Sequence, residues 1–316
     1  MGDTHFGESY AVDLDDRYAM DQFSDLFETS DLTIANLETP LTSLEESPYE
    51  GEKSYVHWSE PEAASEAFRD YGFDVFSLGN NHSMDFAWPG LEETLTVLKQ
   101  DFQVFGAGAN QAEAAQPFET ELLNLTVFGG YEDVLSHERI GFYASENTPG
   151  VYSITQEASL EAVRSFRAEH PEAFIVVFPH WGENYAMKDS KQETWAHLFI
   201  DAGADLILGH GAHLLQEVEI YEGKWIVYGL GNFIFKAPGR YQKLDAAPYS
   251  AVARLIQTED GLSLRLYPIL CDNLVTDYRT RFIKEEEFEE LSEREDLAEL
   301  SDGEDHLGFY YELPIH

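Results

Sequence analysis

Residues 74–85 read DVFSLGNNHSMD: a short apolar run that stops on a glycine, two amides, an imidazole and, three residues on, a carboxylate. Val, Phe and Leu at this density, closed by Gly and Asn, predict a buried strand over 75–78. Asn and Asp are good turn and cap formers, so the tail reads as a capped turn into a helix beginning near Gly90. It also reads as half of a metal site. The rest of the chain decides between the two.

A chain of 316 residues, 43% hydrophobic and 14% aromatic, is enough for one large or two ordinary domains and too apolar for disorder. Cys271 is its only cysteine, which excludes an internal disulfide framework and a thiolate cluster; any metal must be held by His, Asp, Glu or Asn. No run approaches the roughly 20 apolar residues of a membrane span. The opening MGDTHFGESY lacks a basic and apolar leader, so as written the chain reads as soluble and cytoplasmic. With 60 acidic residues against 19 basic ones the formal net charge is -41, which excludes a duplex nucleic-acid partner. Such a surface is tolerated where the Debye length shrinks, to about 3 Å at 1 M salt. A salt-adapted, halophilic source is therefore the leading explanation, ahead of an ordinary acidic protein.

Apolar runs predict strands over 32–35, 75–78, 104–105, 122–129, 174–178, 206–208 and 225–228. Helical periodicity between them predicts helices over 62–71, 91–100, 160–170 and 193–202. Strand and helix in turn imply a layered α/β fold with buried strands. From about Leu214 the rhythm becomes that of hairpins: 217–221, a turn at Glu222-Gly223, 225–228, then 250–257, a turn at Asp260-Gly261, and 263–270. This predicts a second, partly antiparallel sheet packed on the first within one domain, residues 1–283. Residues 284–316 read as an acidic C-terminal helix and extension, with a solvated helix and a loose acidic stretch over 284–305.

Residues able to bind metal or move protons recur at five strand ends: Asp3 and His5; Asn36 and Glu38; Asn80, Asn81 and His82; His180; His210 and His213. Each alone is a common turn or core residue. In open α/β sheets, however, ligands bind beyond the carboxyl ends of the strands, where residues distant in sequence converge. Imidazoles mixed with carboxylates suit a borderline divalent ion such as Mn, Fe, Co, Ni or Zn. Two such ions about 3.5–4 Å apart can activate water and clamp a phosphoryl group, given a bridging carboxylate, for which Glu38 is the natural candidate. Glu183 would orient His180 or another ligand, Asn36 supports the ligands, and Trp181 and Tyr185 would line a substrate groove. Asn80 and Asp85 shape the turn and cap the helix after it. Residues 106–110, GAGAN, lack the third glycine of a dinucleotide fingerprint and read as a tight turn. No basic cluster stands beside the motifs, so the metals would supply most of the anion recognition.

Gly2-Asp3, Ala35-Asn36-Leu37-Glu38-Thr39-Pro40, residues 79–85, residues 106–110, His180-Trp181-Gly182-Glu183, Gly209-His210-Gly211-Ala212-His213 and Tyr228-Gly229-Leu230-Gly231-Asn232-Phe233 stand in one order. Over roughly residues 2–236 this series resembles the CapA family of capsule and poly-γ-glutamate synthesis proteins, relatives of the calcineurin-like metallophosphoesterases. The resemblance implies a four-layer α/β/β/α sandwich, two mixed sheets flanked by helices. It implies two divalent metal ions, Mn, Fe or Zn, held by Asp3, His5, Glu38, Asn81, His180, His210 and His213. His82 would be the catalytic acid, and a metal-bound hydroxide the nucleophile on a phosphoester or related anionic substrate.

Three departures stand out. Asn36-Leu37-Glu38 replaces the superfamily's Gly-Asp-x-x-Asp, the last two histidines are three apart instead of two, and the strand expected before Gly2-Asp3 is missing. Either a longer protein supplies that strand, together with a signal or anchor that would place it at the cell surface, or another segment fills the slot. The expected partners are a small anionic or polymeric substrate and membrane proteins of capsule synthesis. Besides the hydrolase, two readings stay open: a non-catalytic component of polymer assembly or export, and metal-dependent cleavage of γ-glutamyl amides.

Overall fold

The computed structural model of the chain describes residues 1–5, 20–258 and 261–315. The run that opened the sequence forms the buried strand Val75–Ser77. It belongs to an all-parallel sheet ordered Asn232–Ile234, Asp3–Thr4, Ile34–Leu37, Val75–Ser77, Gln103–Phe105. The two-residue strand Asp3–Thr4 stands between Ile34–Leu37 and the late strand Asn232–Ile234.

A second sheet runs Val218–Tyr221, Lys224–Val227, Leu206–Leu208, Phe174–His180, Leu125–Tyr131, Phe118–Thr120. Its four central strands are parallel and its two edges antiparallel. The hairpin rhythm after Leu214 therefore divides. Its first hairpin completes the second sheet, whereas Tyr249–Thr258 and Gly261–Leu270 begin a third, antiparallel one. Asp260, half of the second expected turn, lies outside the described residues.

Alternation along the strands explains the layering, because successive side chains face opposite ways. Phe76 and Ala35 face the helices Pro61–Tyr71 and Ala87–Leu98, meeting Phe68, Leu91 and Leu95. Val75 and Phe105 face the other way, onto Val127, Val176 and Phe178 of the second sheet. Ile175 and Val177 then face Leu160, Val163, Ala196 and Phe199 of the outer helices Glu157–Glu169 and Ser190–Asp201. Sheets pressed together with helices outside is the expected architecture, with the third sheet as an addition. The helices begin where capping chemistry allows: Glu60 accepts from Glu62 N and Ala63 N with Pro61 next, and Asp189 with Gln192 forms a capping box.

Of the solvated helix and loose acidic stretch expected over 284–305, the helix is present at Glu285–Leu291, though its Phe288 and Leu291 are buried, and the loose stretch is corrected: Ser301–Asp305 is a strand paired with Gly308–Ile315. That last strand pairs in turn with Gly261–Leu270, placing Tyr311 and Leu313 in the core. Strand pairing absorbs the charges, since acidic side chains at alternate positions of an edge strand remain in water. Among the described residues no helix is long and apolar enough to cross a membrane.

Cys271 is buried, its thiol donates to Asn232 O at 2.9 Å, and burial pushes its pKa up to about 12. The folded protein should accordingly resist a disulfide reagent at mild alkaline pH, and the denatured chain should titrate one thiol. Full reaction of the native protein would contradict this packing.

Candidate metal centre

The carboxyl ends of the parallel strands in the first two sheets meet, and two close approaches make the meeting possible. A Cβ on Gly79 would stand 2.5 Å from Gly130 Cα, so the turn after Val75–Ser77 can lie against the second sheet only as glycine. Gly211, at φ +105°, brings its N–H to 3.1 Å from Asp3 Oδ2 across the two sheets. The neighbouring ends of Phe174–His180 and Leu206–Leu208 are joined by a bridge between His180 and His210.

Asp3 lies at the centre, wholly buried. Its Oδ1 is 3.2 Å from His210 Nδ1 and 3.7 Å from His180 Nδ1, and its Oδ2 is 3.4 Å from His213 Nδ1. Glu38, also wholly buried, has Oε1 at 3.8 Å from His180 Nε2, 3.9 Å from His213 Nε2 and 3.9 Å from His82 Nε2. Donor atoms of Asp3, His180 and His210 lie close enough together to share one ion, as do those of Asp3, Glu38 and His213. Asp3 belongs to both groups.

Amide side chains hold this arrangement. Asn36 Nδ2 donates to Asp3 Oδ1 at 2.9 Å, and Asn36 Oδ1 accepts from Asn80 Nδ2 at 2.9 Å. Asn80 also donates to Leu37 O and accepts from His82 N and Ser83 N, so it pins the turn carrying Asn81 and His82 to the end of Ile34–Leu37. Asn232 Oδ1 lies 2.9 Å from His213 Nδ1 and accepts its proton, which leaves Nε2 facing Glu38 with a lone pair. His213 holds φ +61°, a conformation that non-glycine residues seldom adopt and that buried binding sites tend to contain.

Several buried atoms here have no hydrogen-bond partner among the described residues: both oxygens of Glu38, both ring nitrogens of His5, Asn81 Oδ1 and His210 Nε2. Unsatisfied buried groups each cost about 1–3 kcal/mol, more when charged, so a cluster of them calls for a ligand. Burial, then the charges of Asp3 and Asp85, push Glu38 well above the usual carboxylate range. Burial also opposes ionisation of Asp3, yet hydrogen bonds with His210 and His213 and the nearby His180 hold it well below that range. Two carboxyls forced apart in this way regain a common ionised state when a divalent cation sits between them. Burial lowers the pKa of His5, His82, His180 and His210, leaving these imidazoles neutral. Neutral imidazole is the form that ligates metal.

These shifts set a pH dependence for the metal-free protein. The four depressed imidazoles bind fewer protons folded than unfolded below their ordinary pKa of 6.5, so stability falls as the pH drops through that value. Glu38 acts oppositely: its contribution is complete below 4.5 and is lost as pH rises through its raised folded value. His137, lowered to about 4 by burial, acts with these imidazoles and the raised Asp85 acts with Glu38; the imidazoles outnumber the carboxyls, which predicts a melting temperature, measured in chelator, that declines between about pH 6.5 and pH 5. A flat profile there would mean that the rings are not buried as neutral groups.

His82 has a separate support. Its Nδ1 is 2.7 Å from Asp85 Oδ2, which also accepts from His57 N at 2.6 Å, while Asp85 Oδ1 is bonded to Lys53 Nζ. Lys53 further donates to Asn81 O at 2.6 Å. Asp85 is therefore a positioning group and not the helix cap expected of it, since the helix Ala87–Leu98 starts without a side-chain cap. The sequence reading also missed Lys53, His57 and Asn232. A carboxylate three residues after a histidine was the one available signal; the loop holding Lys53 and His57 carries none.

Other expected positions differ. Trp181 is fully buried, donating from Nε1 to Tyr228 O at 2.8 Å within the core of the second sheet, so it lines no groove. Glu183 is exposed, and Asn36, 3.5 Å from His180 Nδ1, stands where Glu183 was expected. Tyr185 packs its ring 5.2 Å from that of His213 and lines a pocket over the site. His5 belongs to neither three-residue group and stacks toward His57, ring centroids 4.3 Å apart. Nor is the site without cations, since Lys53, Lys236 and Arg240 are brought to it by the fold. A larger cavity of about 360 Å³, lined by Met1, Ile34, Phe178 and Val252 among others, includes none of these ligand candidates.

Residues 1–237 match the family described as bacterial capsule synthesis protein PGA_cap. The chain belongs to this family. PGA_cap relatives include the PGA biosynthesis protein CapA of Bacillus subtilis (strain 168), 32% identical over 214 residues, 66% of this chain and 54% of that protein. The capsule biosynthesis protein CapA of Bacillus anthracis is 30% identical over 246 residues, 74% of this chain and 58% of that one. The chain thus spans little more than half the length of these curated PGA_cap relatives. Among solved structures, the calcineurin-like phosphoesterase YfkN of Bacillus subtilis superposes with a TM-score of 0.40 at 14% identity, covering 89% of this chain and 81% of that one.

Proposed function

We propose that the protein is a metal-dependent hydrolase of the phosphoesterase type, acting on an anionic substrate in capsule or PGA metabolism. The observation that carries this reading is Glu38: a buried carboxyl with both oxygens unsatisfied among the described residues, facing His82, His180 and His213 beside the buried Asp3. The donor set fits borderline divalent ions such as Mn, Fe or Zn. Asp3, Glu38, His180, His210 and His213 would hold them, with His5 and Asn81 adding the buried donor atoms that are otherwise idle. Two such ions would activate water and neutralise charge developing on the substrate.

The chain's own residues supply the rest. Asp85 accepts from His82 Nδ1, which fixes the ring and turns Nε2 to the Glu38 side; Nε2 would first take up a proton from the nucleophilic water or from solvent, and the imidazolium, paired with Asp85, would then hand that proton to the leaving group. Burial raises the pKa of Asp85, and the charge of Lys53 opposes that shift in favour of the carboxylate. A non-catalytic assembly component with a purely structural metal would need no imidazole held in this way, and that favours hydrolysis. The relatives' names bear on the pathway, not on the bond cleaved.

Metal analysis of the purified protein, followed by phosphodiester, phosphomonoester and γ-glutamyl amide substrates with added Mn, tests the reading. About two ions per chain and turnover of one substrate class are expected. Protein that takes up no transition metal would remove the basis of the proposal, and turnover confined to the amide would convert it to a peptidase-like hydrolase.

A further inference from the structure

Leu125–Tyr131, a central parallel strand of the second sheet, also ends at the candidate centre, and its last residue is a tyrosine. Tyr131 pairs with His180 in the ladder, so both side chains leave the sheet on the face that Val127 and Phe178 turn toward the first sheet. The two rings stand edge to face, centroids 5.5 Å apart. Gly130, directly before Tyr131, is the residue against which Gly79 packs, at the start of the turn that carries Asn81 and His82.

Tyr131 is only 8% exposed, yet its hydroxyl makes no hydrogen bond among the described residues. Its neighbour Tyr143 differs. Stacked on Tyr131, Tyr143 accepts at its hydroxyl from Val134 N at 2.9 Å and donates to Glu132 O at 2.5 Å. The rings of His137, Phe142, Tyr143 and His180 fix the Tyr131 ring on four sides. Burial, then Tyr143, Glu132 and Glu38, push the Tyr131 pKa up, so the phenol keeps its proton and stands within electrostatic reach of the ligand cluster. His137, on the short helix Leu135–Glu138 with its ring 5.4 Å from that of Tyr131, has a buried Nδ1 that also lacks a partner among the described residues. Two idle polar groups thus adjoin beside His180.

We infer that Tyr131 binds substrate, its hydroxyl donating a hydrogen bond to a non-bridging oxygen of the phosphoryl group under attack. The inference deepens the hydrolase reading and rests on it for the identity of the bound group. A neutral phenol locked among aromatic rings needs no reorganisation when charge develops on that oxygen, and a fixed donor is worth most in such a buried setting. A tyrosine serving the fold alone would spend its hydroxyl on the backbone, as Tyr143 does.

Tyr131→Phe removes the hydroxyl and keeps the ring. Its kcat/KM on a phosphodiester should fall about 10²-fold, the cost of losing one donor to a developing oxyanion. The loss should be equal for p-nitrophenolate and alkoxide leaving groups, because the non-bridging oxygen is the same in both. Titration calorimetry of the Mn-loaded protein with inorganic phosphate should show binding about tenfold weaker in the variant. Mn content and melting temperature should match wild type, whereas Tyr143→Phe, which strips two backbone groups of their partner, should melt lower. Phosphate affinity and turnover unchanged in Tyr131→Phe overturn the inference, as does failure of Mn-loaded wild type to bind phosphate. A loss that comes with lost Mn or a lowered melting temperature overturns it too, making the hydroxyl structural. Phosphate binding that depends on Tyr131 in a protein without turnover would keep the subsite and remove the hydrolase. Turnover at the wild-type rate in Tyr131→Phe would do the opposite.

Discussion

Glu38→Gln is expected to lower turnover by about 10³-fold, roughly 4 kcal/mol of transition-state stabilisation, while raising the melting temperature of the metal-free protein. The two effects have one cause. With no cation present, the Glu38 carboxyl is a buried group without partners among the described residues, pushed well above its ordinary pKa by burial and by Asp3. Its amide isostere removes the ionisation penalty, so the advantage of the variant should grow as pH rises above 4.5. Added Mn or Zn should reverse the order. At a hundred times its dissociation constant an ion stabilises the folded wild type by about 2.7 kcal/mol, or about 5 °C for a chain of this size, and the variant should gain little. A variant that kept the metal-induced shift would show that Glu38 is no ligand.

His82→Ala should cost about 10²–10⁴-fold in kcat, the usual range for a general acid. The loss should depend on the leaving group: small for p-nitrophenolate, which departs unprotonated, and large for an alkoxide. Asp85→Asn should follow the same pattern at reduced size, since the amide can still bond Nδ1 but can no longer stabilise an imidazolium at 2.7 Å. Metal content should stay that of wild type in both. Equal losses on good and poor leaving groups would reassign His82 from proton donor to structural residue.

Much of the fold was legible because burial on both faces leaves near-continuous apolar runs, and helical periodicity marks the segments between them. These local signals gave the central strands and main helices through Leu208 but missed the short strands Asp3–Thr4 and Phe118–Thr120. The helix of the acidic C-terminal segment was legible but its strands were not, because pairing between Gly308–Ile315 and Gly261–Leu270 gains its apolar partners only from the third sheet. Trp181 shows the same limit at a single residue. Beside His180 its ring could line a groove or fill a core, and only the Tyr228 carbonyl it reaches decides.

For the site, the sequence by itself determined the donor types and their place at strand ends, since a parallel sheet sends every such end to one edge. DVFSLGNNHSMD thereby carried both a strand and half of a candidate centre. Asn36 was already expected to support the ligand candidates, but tertiary structure decided which atoms it serves and added the other supports. Asn36, Asn80 and Asn232 became their props, Asp85 became the partner of His82, Lys53 arrived from one loop, and Lys236 and Arg240 from another, the stretch that follows Asn232–Ile234. Hydrogen bonds and charge act over a few ångströms of space with no regard to chain separation. Residues tens to hundreds of positions apart therefore acquire their roles only when the sheets close.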